Sequence, residues 1–138
     1  MPESRAVRLD WSGERLRFMG GGTEPTTPSV IIDGDGQSGP SPMLTLLLAA
    51  ASCSAADVVV ILTKMRVALE SLSVAVEGVR RDEEPRRYTD VRFTFRLTGE
   101  QLDMQKAEHA VKLSLDKYCS VVHSLATDIN VTYGIDVA

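Results

Sequence analysis

Cys53 and Cys119 are the residues of this chain with the most distinctive chemistry. A thiolate attacks a peroxide oxygen or a disulfide sulfur, and a second thiol nearby can close a disulfide over the product. Asp57 follows Cys53 by one helical turn, and His123 follows Cys119 at the same spacing. Two cysteines, a histidine and an aspartate can in principle hold tetrahedral zinc, but the short C-x2-C spacing of structural zinc is absent. Free cysteine is also among the most buried residue types and often only packs. A thiol in apolar surroundings stays inert unless a cation lowers its pKa, and an ionised Asp57 beside Cys53 would oppose thiolate formation. Two observations favour chemistry over packing. Both cysteines fall in segments of helical pattern whose apolar faces must share one core, and both have polar or ionisable neighbours within a turn.

Other motifs carry less. Gly34, Gly36 and Gly39 spell G-x-G-x-x-G, but Pro40 and Pro42 intervene before the next helix and no βαβ unit follows, so a flexible connector is expected. Asp33 and Asp35 resemble the start of a calcium loop, yet Leu44 stands where its last glutamate belongs. Ser52 and Ser54 are expected to hydrogen-bond within their helix. His109, near Glu108 and Lys112, reads as a solvated surface residue, and the run RRDEEPRR as a solvated turn.

The elements that must position these residues follow from hydrophobic period. Val7, Leu9 and Trp11 alternate with polar residues; Leu16 and Phe18 continue the alternation until Gly20-Gly21-Gly22, and Ser29–Ile32 forms a third strand. Ser41 is the expected N-cap of a helix with Pro42 at its first position. From Met43 to Leu62 the only polar residues are Thr45, Ser52, Ser54 and Asp57, so this helix is apolar on nearly every side. It is long enough to span a bilayer, but the acid inside it and the alternating strands on both sides argue for a buried helix. Strands around Leu72–Val76 and Val91–Leu97 make a hairpin. Leu102–Tyr118 reads as an amphipathic helix with a stripe through Ala107, Val111, Leu115, Tyr118, Cys119 and Val122, and a strand from Ile129 closes the chain. The order βββ-α-ββ-α-β, with mostly antiparallel sheet, is an α+β class, and one domain over residues 1–138 is expected. One six-stranded sheet covers one side of the apolar helix. The rest must come from the second helix or another subunit, which predicts an obligate homodimer.

The 138 residues carry a net charge of −4 and are 5% aromatic, which disfavours nucleic-acid and anionic-membrane partners. Two cysteines are no disulfide framework. The first residues lack a basic segment followed by an apolar core, so a cytoplasmic protein with reduced thiols is expected.

Residues 39–66, GPSPMLTLLLAAASCSAADVVVILTKMR, and 116–125, DKYCSVVHSL, resemble the two cysteine segments of the OsmC/Ohr family of osmotically inducible and organic hydroperoxide resistance proteins. The details are most similar to its YhfA-like branch. The resemblance implies antiparallel sheets wrapped around the central helices of an intertwined homodimer, and reduction of organic hydroperoxides with an external dithiol as reductant and no cofactor. Cys53 is then the peroxidatic thiol and Cys119 the resolving one. An arginine from the N-terminal segment should activate the thiol; Arg15 and Arg17 lie in its second strand, and Arg17 is the candidate. The alternative is a non-enzymatic protein of the same fold that binds an apolar small molecule or senses redox state through its cysteines.

Overall fold

A computed structural model describes residues 2–24 and 26–138. They form two compact units, divided after Leu46. The N-terminal unit is a three-stranded antiparallel sheet in sequential order: β1 (Val7–Trp11), β2 (Arg17–Gly22) and β3 (Ser29–Asp33). The glycine triplet does not end β2, as its sequence suggests. It pairs with Leu9, Arg8 and Val7, and a Cβ at Gly20 would lie 2.8 Å from the Arg8 carbonyl oxygen, so the close strand contact itself demands glycine. Arg15 precedes β2 rather than lying in it; its left-handed backbone shapes the turn, and its carbonyl accepts the Trp11 indole N–H.

Helix α1 (Pro42–Lys64) starts where its sequence signals it should: the Leu44 amide donates to Ser41 Oγ at 3.3 Å. In the second unit it buries a stripe through Leu47, Ala50, Ser54, Val58 and Leu62, the i, i+4 spacing of a single helix face. Its other apolar side chains face outward; Leu48 and Val60 are 57% and 52% exposed. Among the described residues α1 is the one helix long and apolar enough to cross a membrane.

The second sheet contains β4 (Ala68–Arg80), β5 (Tyr88–Glu100) and β6 (Asn130–Val137), in that order. Val91, Phe93, Phe95 and Leu97 are the buried alternate positions of β5, as expected, and the rings of Phe93 and Phe95 stack with centroids 5.8 Å apart. Two expectations need correction. The strands form two three-stranded sheets rather than one six-stranded sheet, and β6 pairs with β5 in parallel. The helical crossover between β5 and β6 carries the chain back to the starting end of β5, which a parallel pair requires.

That crossover is not one helix. α2 (Met104–Leu113) is capped by Asp103, which accepts the Lys106 amide at 2.8 Å. A π-helical turn (Ser114–Tyr118) follows, then an extended residue, Cys119, and a short helix α3 (Ser120–Ser124). The i→i+5 period puts Cys119 above Ser114 and swings Tyr118 outward. Tyr118 is therefore 50% exposed instead of joining the buried stripe, while Ala107, Val111, Leu115 and Cys119 are buried as expected.

Candidate functional site

The site grows from the inward stripe of α1 and the π-helical turn. Cys53 is half-buried and Cys119 is fully buried; both are free thiols. They are neighbours: Cys53 is near enough to act on the Cys119 thiol, and Cys119 Sγ lies 4.0 Å from the Ala50 carbonyl oxygen, on the helix that carries Cys53. Burial above all pushes the Cys119 thiol up to about 11. The Val122 amide opposes this, while Cys53 and the charge of Asp57 add to it. The charge of Asp57 is the smallest of these contributions and acts in the same direction as burial.

Asp57 is held by a residue that sequence reasoning missed. Ser114 Oγ donates to Asp57 Oδ2 at 2.9 Å and lies 2.9 Å from Ser54 Oγ. Ser54 and Ser114 are both fully buried. Ser54 therefore bonds across to the π-helical turn, not within its own helix; Ser52 does bond within it, to the Ala49 carbonyl. A signal for Ser114 existed: it lies a helical turn beyond Ala110 and Val111, so a polar side chain falls on the apolar stripe and needs a partner. His123 does not share a continuous helix with Cys119; its Nε2 lies 3.1 Å from the Leu115 carbonyl oxygen.

An open groove of about 490 Å³ begins at Asp57, one turn beyond Cys53. Val60, Ile61, Met65 and Leu113 line its walls, and Lys64 and the exposed His109 stand in it as well.

Arg17 lies on β2 of the N-terminal unit, exposed and opposite Asp33 in register. Arg15 is committed to Asp35 at 2.7 Å, whereas the Arg17 guanidinium has no ion-pair partner among the described residues. The glycine-rich loop is ordered by the buried Asp33. Its carboxylate accepts the amides of Asp35, Gln37 and Ser38 and the Ser38 hydroxyl, and these bonds hold it below the usual carboxylate range. The stretch expected to be a flexible connector is a self-capping turn around Asp33.

Residues 34–134 match the family model of OsmC-like proteins. This chain belongs to the OsmC-like family. It is 38% identical to protein YhfA of Escherichia coli K12 over 132 residues, which cover 95% of this chain and 96% of that one. A solved structure of a hypothetical protein from Aquifex aeolicus is 27% identical, with a TM-score of 0.83 over 99% of both chains. OhrB of Bacillus subtilis, described as an organic hydroperoxide resistance protein, shares the fold at 15% identity, with a TM-score of 0.61 over 99% of this chain and 98% of that one. The OsmC-like match spans both cysteines, Ser114 and the glycine-rich loop.

Proposed function

We propose that this OsmC-like chain reduces organic hydroperoxides through Cys53 and Cys119, working as a cytoplasmic homodimer that an external dithiol recycles. The observation that carries the reading is the pairing of an accessible thiol with a buried one. Cys53 is half-buried, within reach of a substrate, and a thiol held up near 11 stays protonated at neutral pH, so attack falls to Cys53. The Cys53 thiolate bonds to the outer peroxide oxygen and the O–O bond breaks; the alkoxide leaves and takes a proton to become an alcohol. Cys119 then attacks the sulfenic acid sulfur. The S–S bond forms, the S–O bond breaks, and the hydroxyl departs as water with the Cys119 proton. A dithiol returns both cysteines to thiols by exchange.

The groove that begins at Asp57, one helical turn from Cys53, has Val60, Ile61, Met65 and Leu113 in its walls, and this supports an alkyl hydroperoxide rather than hydrogen peroxide as substrate. Arg17 is the candidate cation for activating Cys53, and Arg17→Met tests that role. The outward apolar side chains of α1 and of β1 (Val7 is 80% exposed) support the homodimer. The deciding experiment follows cumene hydroperoxide consumption with dihydrolipoamide as reductant. Wild type should turn over and Cys53→Ser should not; equal background rates would sink the proposal.

The groove also supports a second reading, a binder of apolar small molecules without turnover. That reading predicts a ligand-dependent rise in Tm in a protein that consumes no hydroperoxide.

A further inference from the structure

We infer that Ser114 is a positioning residue for disulfide closure, fixing the approach of Cys119 to Cys53 by fastening the π-helical turn to α1 beside Cys53. The inference rests on reading the two cysteines as a redox pair. Ser114 has one hydroxyl proton, and Asp57 Oδ2 takes it. At the 2.9 Å contact with Ser54, Ser54 must therefore be the donor. The result is a directed chain, Ser54 to Ser114 to Asp57, with no buried polar side-chain atom left unpaired among the described residues.

Both ends of this chain stand on the helix turn that follows the first thiol: Ser54 is the next residue after Cys53, and Asp57 lies one turn on. The backbone of Ser114 holds the second thiol. Its carbonyl accepts the Cys119 amide at 2.7 Å, a bond that in an α-helix would go to Leu115. His123 Nε2 engages the Leu115 carbonyl instead, and since a carbonyl only accepts, Nε2 carries the proton. From Cys53 to Cys119 the path is thus one peptide bond, one side-chain hydrogen bond and one backbone hydrogen bond, all through Ser114.

Positioning and electrostatics predict opposite signs at Asp57. The Asp57 charge helps to keep the Cys119 thiol protonated, so removing it should by charge alone speed attack by Cys119. Removing the acceptor that anchors Ser114 should slow it. Asp57→Asn loses the charge and keeps an acceptor oxygen; Asp57→Ala loses both.

The test needs no hydroperoxide. Cys53 of the intact protein is converted to a mixed disulfide with dithio-bis-nitrobenzoate, releasing one coloured thiolate. Cys119 then attacks the Cys53 sulfur; the protein disulfide forms, the mixed S–S bond breaks, and a second coloured thiolate leaves with the Cys119 proton going to solvent. The unimolecular rate of that second release is the readout. Ser114→Ala and Asp57→Ala should close about tenfold more slowly or worse, the scale of one charge-assisted hydrogen bond, while Asp57→Asn closes at least as fast as wild type. Closure of Asp57→Ala at the Asp57→Asn rate overturns the inference even if Ser114→Ala fails to fold, as does wild-type closure in a folded Ser114→Ala. A wild type that closes its disulfide here but consumes no hydroperoxide refutes the peroxidase reading and leaves this one standing.

Discussion

Raising the pH should expose the difference between the two thiols, and the size of the effect follows from the burial of Cys119. Its thiol is raised from an ordinary 9.0 to about 11, with loss of solvation as the leading cause. At pH 8 an ordinary thiol is ~10% thiolate, whereas one near 11 is ~0.1% thiolate, about a hundredfold less nucleophile. Iodoacetamide alkylation, with sites quantified by mass spectrometry at low conversion, reads this directly. The initial rate at Cys119 should rise about tenfold per pH unit through pH 9 and bend only near 11. In urea the same residue should bend near the ordinary thiol value. Cys53→Ser removes one contributor but not the burial, so the bend should move down only part of the way. The linkage has a definite sign. The folded state binds the Cys119 proton more tightly than the unfolded state, so this contribution is intact below pH 9 and is lost as the pH climbs through 11. Two units correspond to about 3 kcal/mol, read as extra alkaline destabilisation of wild type over Cys119→Ala. A bend near 9 in the folded protein, or equal alkylation at pH 8 with and without urea, would refute the placement of Cys119 in the core.

Further outcomes follow from other residues. Phe93 is fully buried against Phe95, so Phe93→Ala should lose about 3–5 kcal/mol in urea unfolding; a loss under about 1 kcal/mol would mean this face of β5 is not core. Leu48→Glu and Val60→Glu place charges on the outward face of α1, where a lone chain tolerates them, and in sedimentation they should turn a dimer into a folded monomer. The same sedimentation profile for wild type and variants would refute dimerisation through this face. Asp33, held below the usual carboxylate range by its own loop, stabilises that loop above the ordinary carboxylate pKa and loses the effect as pH falls through its lowered value. Amide exchange of Gln37 and Ser38 should therefore accelerate on acidification in wild type and be fast and pH-insensitive, beyond intrinsic exchange, in Asp33→Ala.

What was legible in the residues was whatever repeats locally. The alternation in β5 marked Val91, Phe93, Phe95 and Leu97 as one face, and Ser41-Pro42 marked the start of α1, because period and capping depend on near neighbours. The parallel pairing of β6 with β5 was not legible, since alternation says which face a strand buries and nothing about which strand it meets. The site divides in the same way. Cys53 could be placed on its helix, but the break that leaves Cys119 extended beyond the second helix could not, nor could the residue that joins the two segments. A continuous 3.6-residue period through Tyr118 would have kept that ring in the core and left Ser114 a polar misfit on the stripe. The π-helical turn inverts both outcomes: Tyr118 turns outward, and Ser114 comes under Cys119 with its hydroxyl between Ser54 and Asp57. Those partners lie 60 and 57 positions away in the chain, beyond the reach of any local pattern. A misfit on an otherwise consistent apolar stripe is thus itself the clue, because a buried hydroxyl persists only where something distant answers it. Here what answers it lies on the helix turn that follows Cys53, which is why the least periodic stretch of the chain is also the one that fastens the second thiol's segment beside the first.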